Sequence, residues 1–189
     1  MSKTKVWLTL LLALIALVLL GLSLTNTREA GSQAVGQNNE PAYTMQKNIT
    51  VVYDPTGKLS YKLIADKADH YSVEQVSWFT QPVATMFNEQ AVATWSVRAD
   101  RAKLTKDRML YLYGHVEVNS LTNDSQLERI KTDNAQINLI TQDVASDDEV
   151  TLYGINFTSN GLKMRGNLRS KTAELIDKVK SYYEIQPKN

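Results

Sequence analysis

The chain has 189 residues, with 21 basic and 20 acidic side chains for a formal charge of +1, two histidines and no cysteine. So even a balance gives no field to hold nucleic acid or to fasten the whole surface to anionic lipid. The absence of thiols excludes disulfide frameworks and thiolate metal sites, and a polar remainder of about 145 residues after a hydrophobic start is the size of one domain.

Residues 1–5 form a short N-terminus carrying Lys3 and Lys5. Residues 6–24 read VWLTLLLALIALVLLGLSL, nineteen in a row without a charge, which is the length of a helix that crosses the hydrocarbon core of a bilayer. Lys3 and Lys5 precede it, while Arg28 is offset by Glu29 beyond it, so the positive-inside bias puts the N-terminus in the cytoplasm and exports the rest. The run exceeds the roughly 7–15 apolar residues of a cleaved signal peptide, and Ser23-Leu24-Thr25 is a weak cleavage sequence, so the segment is read as a retained anchor. Residues 25–42, rich in Asn, Gln, Gly, Ser and Thr and without apolar periodicity, have the composition of a flexible tether.

From Tyr43 to the end the dominant signal is period two. Trp95, Val97 and Ala99 alternate with Ser96, Arg98 and Asp100, and Ala135, Ile137 and Leu139 with Asn134, Gln136 and Asn138; each run predicts a strand with one buried face. Leu110, Leu112, Val116 and Val118 share a face across Gly114, as one long strand or two in line. Leu152-Tyr153-Gly154 echoes Leu112-Tyr113-Gly114, but the apolar parity then switches to Ile155 and Phe157. A bulge or corner at Gly154 accounts for the switch, through the unusual dihedrals that glycine tolerates.

A larger repeat runs beneath this. Ala65-Asp66-Lys67-Ala68, Ala99-Asp100-Arg101-Ala102, Thr132-Asp133-Asn134-Ala135 and Ser170-Lys171-Thr172-Ala173 recur at spacings of 34, 33 and 38 residues. Units of this kind, each too small to close a core, predict a stacked all-β solenoid, jelly roll or sandwich with two open ends. An exposed strand edge accepts another protein's strand, so those ends are candidate docking surfaces.

Chemistry is sparse. His70 and His115 have no companion at ligand spacing. Asp147-Asp148-Glu149 is read as a solvated turn between Val144 and Val150 and lacks the spacing of a calcium loop. No nucleophile elbow, P-loop or dinucleotide fingerprint occurs, so neither an enzyme nor a cofactor is expected. Lys163, Arg165, Arg169 and Lys171 alternate with Leu162, Met164 and Leu168; they would suit lipid phosphates, but are read in preference as the wet side of an antiparallel strand.

Residues 76–83 (VSWFTQPV), 94–119 (TWSVRADRAKLTKDRMLYLYGHVEVN), 132–145 (TDNAQINLITQDVA) and 161–177 (GLKMRGNLRSKTAELID) closely resemble the enterobacterial type of the LptC family, the inner-membrane bridge component of lipopolysaccharide transport. The likeness covers nearly the whole chain, and the alanine-centred repeat is similar to one shared by the periplasmic members of that system. The resemblance implies an open antiparallel β-jelly roll, spanning residues 43–189 in the periplasm, whose hydrophobic groove carries the acyl chains of lipopolysaccharide. It implies an inner-membrane helix associated with the permease subunits LptF and LptG and their ATPase LptB, one open end of the jelly roll meeting the permease, and the C-terminal end pairing edge to edge with LptA. By parity the groove candidates are Phe79, Ile137, Leu139, Phe157, Met164, Ala173 and Tyr183, each equally able to be plain core. Gly154 is singled out as a backbone requirement whose loss distorts the fold or the docking end.

Overall fold

The structure is a computed structural model that describes residues 40–184. The expected anchor over residues 6–24 and most of the tether lie outside the described residues, among which no helix is long and apolar enough to cross a membrane.

Eleven strands follow in chain order: β1 (Tyr43–Tyr53), β2 (Leu59–Tyr71), β3 (Val76–Thr80), β4 (Val83–Phe87), β5 (Ala93–Arg98), β6 (Arg101–Thr105), β7 (Met109–Ser120), β8 (Leu127–Asn138), β9 (Asp143–Gly154), β10 (Phe157–Asn167) and β11 (Thr172–Tyr183). All belong to one antiparallel sheet. β2 pairs with β1 on one side; on the other its first half pairs with β4 and its second half with β3. β4 leads to β5 and β3 to β6, and both of these pair with β7. β3 and β4 are therefore one long strand interrupted at Gln81-Pro82, and β5 and β6 another interrupted at Ala99-Asp100. From β7 onward the sheet is a plain meander to β11. Among the described residues β1 and β11 each pair on one side only, which leaves two open edges.

The interruptions line up. Lys47 in β1, Gln81, His115 in β7, Lys163 in β10 and Lys178 in β11 all have left-handed backbones, with φ of 51°, 49°, 46°, 59° and 51°. The registers of β7 with β8, β8 with β9 and β9 with β10 slip at the same level. A bulge adds a residue to one strand and bends it, so bulges aligned across a sheet make a crease, and the sheet folds along it into two facing walls.

Three of the four repeat units lie on this crease, and their small residues explain it. Ala65, Ala68, Ala99, Ala102, Thr132 and Ala135 are all buried. Where the walls converge there is room for little more than a methyl group at these positions, while Leu112, Val116, Val150 and Met164 fill the space between them. The intervening polar pairs, such as Asp66-Lys67 and Asp133-Asn134, face outward along the ridge. The fourth unit, Ser170–Ala173, sits instead at the β10–β11 hairpin, with Ser170 and Lys171 in the turn and Thr172 and Ala173 opening β11, so the repeat is a signature of the crease rather than of four equivalent stacked units. Asp147-Asp148-Glu149 is also on the crease, inside β9, and not in a turn. Asp147 accepts from Arg165 at 2.7 Å and Asp148 from Asn134 at 2.7 Å. Thr132 donates to the Glu149 carbonyl at 2.9 Å and meets the Ser146 hydroxyl at 3.0 Å, supplying partners where the ladder is broken.

Away from the crease the two walls pack on each other through Leu63, Met86, Trp95, Leu110, Ile130 and Ile137, all essentially inaccessible. Polar contacts stitch the free margins together. The Trp95 indole donates to the Leu168 carbonyl at 2.7 Å, Arg108 donates to the Tyr61 hydroxyl at 2.9 Å, and Lys171 pairs with Asp124. The first joins residues 73 positions apart on opposite walls.

Replacing Trp95 by Phe keeps most of the apolar bulk but strands the buried Leu168 carbonyl, which costs roughly 1–3 kcal/mol. Thermal melts of the full-length chain should show a midpoint several degrees lower, with the β-sheet spectrum unchanged.

Candidate functional site

The inner face of the folded sheet is built by alternation: every second residue of each strand points between the walls, and each bulge keeps the two halves of a strand in phase with the same interior. Phe79, Ile137, Leu139 and Met164 are buried there. Phe157 and Ala173 are half-buried and pack against that core. Tyr183 differs, being 73% exposed. It pairs in register with Phe157, with ring centroids 6.4 Å apart, so it lies on the inner-wall side. It belongs to the last strand, however, and no described residue of the opposite wall reaches over it. Alternation identifies the side of a sheet and carries no information on whether that side is covered.

The four cations expected on one face near the C-terminus are divided between two places. Lys163 occupies the β10 bulge and Arg165 is engaged outside the crease by Asp147 and the Ser146 carbonyl. Arg169 and Lys171 lie in the hairpin after β10, at the mouth where the two walls meet. The seam partners Tyr61 with Arg108 and Asp124 with Lys171 had no sequence signal, because each pair is separated by 47 residues.

Gly154 ends β9 at the tight connection to β10, as a corner should. Its requirement is steric rather than conformational, since its φ is not in the left-handed region. A Cβ at this position would stand 2.0 Å from Cε1 of Phe157 and 2.5 Å from its Cδ1. The glycines with left-handed backbone are Gly57, at φ +83° in the β1–β2 turn, and Gly114, at φ +75°, where a Cβ would also meet the Asp100 carboxylate.

Outside the crease a shallow cavity of about 760 Å³ is lined by Asp100, His115, Glu117, Lys131 and Asp133, among others. Its charges are largely paired with one another. Arg98 bonds Glu117 at 2.6 Å and holds that carboxyl below the usual carboxylate range. Asp100 lies 2.6 Å from Nδ1 of His115 and, through that hydrogen bond and its charge, raises the imidazole above its ordinary value of 6.5. Among the described residues no group of three or more His, Asp or Glu side chains is placed to hold a metal ion.

A creased antiparallel sheet with an apolar interior and two open edges defines a jelly-roll-like β protein. The chain aligns with the structure of LptH of Pseudomonas aeruginosa, described as the LptA-homologous periplasmic component of the lipopolysaccharide transport device, with a TM-score of 0.55 at 12% identity over 67% of this chain and 95% of that one. Residues 8–184 match the family described as lipopolysaccharide-assembly, LptC-related. The chain is 59% identical to the lipopolysaccharide export system protein LptC of Escherichia coli K12, covering 100% of this chain and 98% of that protein, and 39% identical to the LptC of Haemophilus influenzae, covering 82% of each. It belongs to the LptC family.

Two outcomes follow from the site. Gly154→Ala forces the Phe157 ring away from its place beside Tyr183 and should cost about 1–3 kcal/mol, read by thermal unfolding; adding Phe157→Leu, which removes the clashing ring, should recover most of the loss. In an NMR titration His115 should titrate above 6.5 and fall back toward it in Asp100→Asn. The stabilising contribution of this pair is complete below pH 6.5 and fades as pH rises through the raised value.

Proposed function

We propose that this chain is the single-pass inner-membrane component of lipopolysaccharide export, with its N-terminus in the cytoplasm, residues 6–24 in the bilayer, residues 25–42 as a tether and residues 43–189 in the periplasm. It receives lipopolysaccharide from the ABC transporter formed by LptB, LptF and LptG and passes it to LptA. The acyl chains travel between the two walls while the sugars stay in water. One open edge meets the permease, and the β11 edge pairs with LptA.

The observation that carries this reading is the pairing of an apolar interior with two open edges in a chain of the LptC family. Walls joined along a crease can separate along their free margins without breaking the backbone ladder. Each methylene moved from water to the interior contributes about 0.8 kcal/mol, so acyl chains are held firmly with no covalent chemistry. Release is compatible with that affinity if successive stations offer similar interiors and ATP hydrolysis by LptB drives the flow. Phe79, Ile137, Leu139, Phe157, Met164 and Ala173 are the side chains assigned to the lipid path, with Tyr183, the last residue of β11, at its exit and Gly154 shaping that end.

A tethered scaffold that binds only protein is the competing reading, favoured by the dense packing of Trp95, Ile137 and Met164, each at 0% exposure. Photo-crosslinking in cells separates the two. Probes at Phe79 and Ile137 should give ATP-dependent adducts with lipopolysaccharide, and probes at the outward Arg98 and Asp133 should not. A folded, inserted protein that gives no adduct from either inward position establishes the scaffold.

A further inference from the structure

The free margins of the two walls do not meet everywhere. Between the hairpins that end them lies a cavity of about 1010 Å³. Its floor is largely apolar, formed by the buried Tyr61, Leu139 and Leu168 with the half-buried Val52 and Phe87, and Thr94 and Gln142 are its buried polar members. Its rim carries Arg108 in the β6–β7 hairpin, Arg169 and Lys171 in the β10–β11 hairpin, and Lys58 across the mouth.

Two of these cations are underused. Arg108 donates to a neutral phenol, Tyr61, at 2.9 Å, and Arg169 to a neutral carbonyl, that of Ile140, at 2.9 Å. Neither forms a direct ion pair among the described residues, Arg169 acting on Asp143 only through its charge at longer range, in contrast to Arg98, Arg129 and Arg165. A guanidinium has five N–H donors in a fork that matches a phosphate oxygen pair, so both retain most of their capacity. Of the rim carboxylates, Asp54 is occupied by its own turn, accepting from the Thr56 and Lys58 amides at 2.8 and 2.9 Å. Asp124 is held by Lys171, and Glu89 sits exposed in the β4–β5 turn.

We propose that this cavity is the entry port for a phosphorylated lipid, with Arg108 and Arg169 gripping the headgroup phosphate at the rim while the acyl chains lie over Tyr61, Leu139 and Leu168. The ligand is an amphiphile because the apolar floor and the cationic rim are parts of one cavity; a free anion would have no use for the floor. The phosphate draws Arg108 away from Tyr61 and so removes one of the contacts that join the walls. Binding at the rim and parting of the margins are then one event. The port rests on the lipid-carrier reading above and adds to it the group recognised and the place of entry.

The test uses the full-length chain in detergent, with a photo-crosslinking probe at Leu139, titrated with bisphosphorylated lipid A and with lipid A stripped of its phosphates. The parent should bind the phosphorylated form at least roughly tenfold more tightly, the scale of one or two charge-assisted hydrogen bonds. Arg108→Gln/Arg169→Gln should erase that preference and leave the stripped lipid unaffected. Arg169→Glu alone, which breaks no contact between the walls and so leaves folding intact, should weaken the phosphorylated form in particular. Equal binding of the two lipids by the parent, or a preference that survives in both variants, overturns the port while the carrier reading stands. Displacement of phosphorylated lipid A by millimolar inorganic phosphate alone would make the rim a plain anion site and overturn the lipid assignment. Binding of neither lipid, at Leu139 or at an interior probe at Ile137, overturns the carrier reading and the port with it.

Discussion

A single antiparallel sheet with one apolar face has nothing but itself to bury that face against. The chain provides no helix among its described residues to cover the sheet, so the sheet must double over, and the physical problem becomes where and how it bends. A bend across nine strand positions requires an extra residue at the same level in almost every strand, left-handed backbone at many of those points, and side chains small enough for the walls to converge. Alanines inside, charged and amide side chains outside, and hydroxyls that replace lost ladder bonds are the consequences of that one requirement. The packed interior and the stitched margins exist only because the fold line holds.

Those parts of the architecture with a local cause could be read from the amino-acid order. The alternation around Trp95 and Ile137 marks buried faces because the strand period is two, and the alanine-centred repeat is visible because its steric demand recurs in strand after strand, although its spacing suggests stacked units and not the crease that it serves. The repeat overreached at Ser170–Ala173, where a hairpin happens to use the same kinds of residue. Asp147-Asp148-Glu149 was misread because three acidic residues in a row suggest a turn, whereas a bulged ridge exposes consecutive side chains just as well. Gly154 was recognised as special for the wrong reason: the position needs space for a neighbouring ring, and only coordinates show the ring. What lay beyond reach was anything decided by one wall facing the other, including the exposure of Tyr183 and the pairing of Arg108 with Tyr61.

The closed packing of the interior and a carrier role are energetically compatible. Contacts between the walls are mostly apolar and non-directional, so exchanging them for contacts with hydrocarbon swaps one apolar neighbour for another, and the hydrophobic contribution changes little. The directional interactions, few and confined to the margins, then decide whether the walls stand together or apart. A molecule arranged in this way can be tight when empty and accommodating when loaded, with the crease as a hinge that never has to break.

The fold line also passes through both open edges, where it is marked by Lys47 and Lys178, each with φ of 51°. A straight strand laid against such an edge follows it only up to the bend and then parts from it, so it forms about half of the ladder it could. A strand with its own bend at the matching level follows the edge from end to end. Selection at these edges can therefore rest on curvature, with little reliance on side chains: partners of the same creased build are admitted at full length, and flat strands, including those of aggregating chains, gain too few hydrogen bonds to stay.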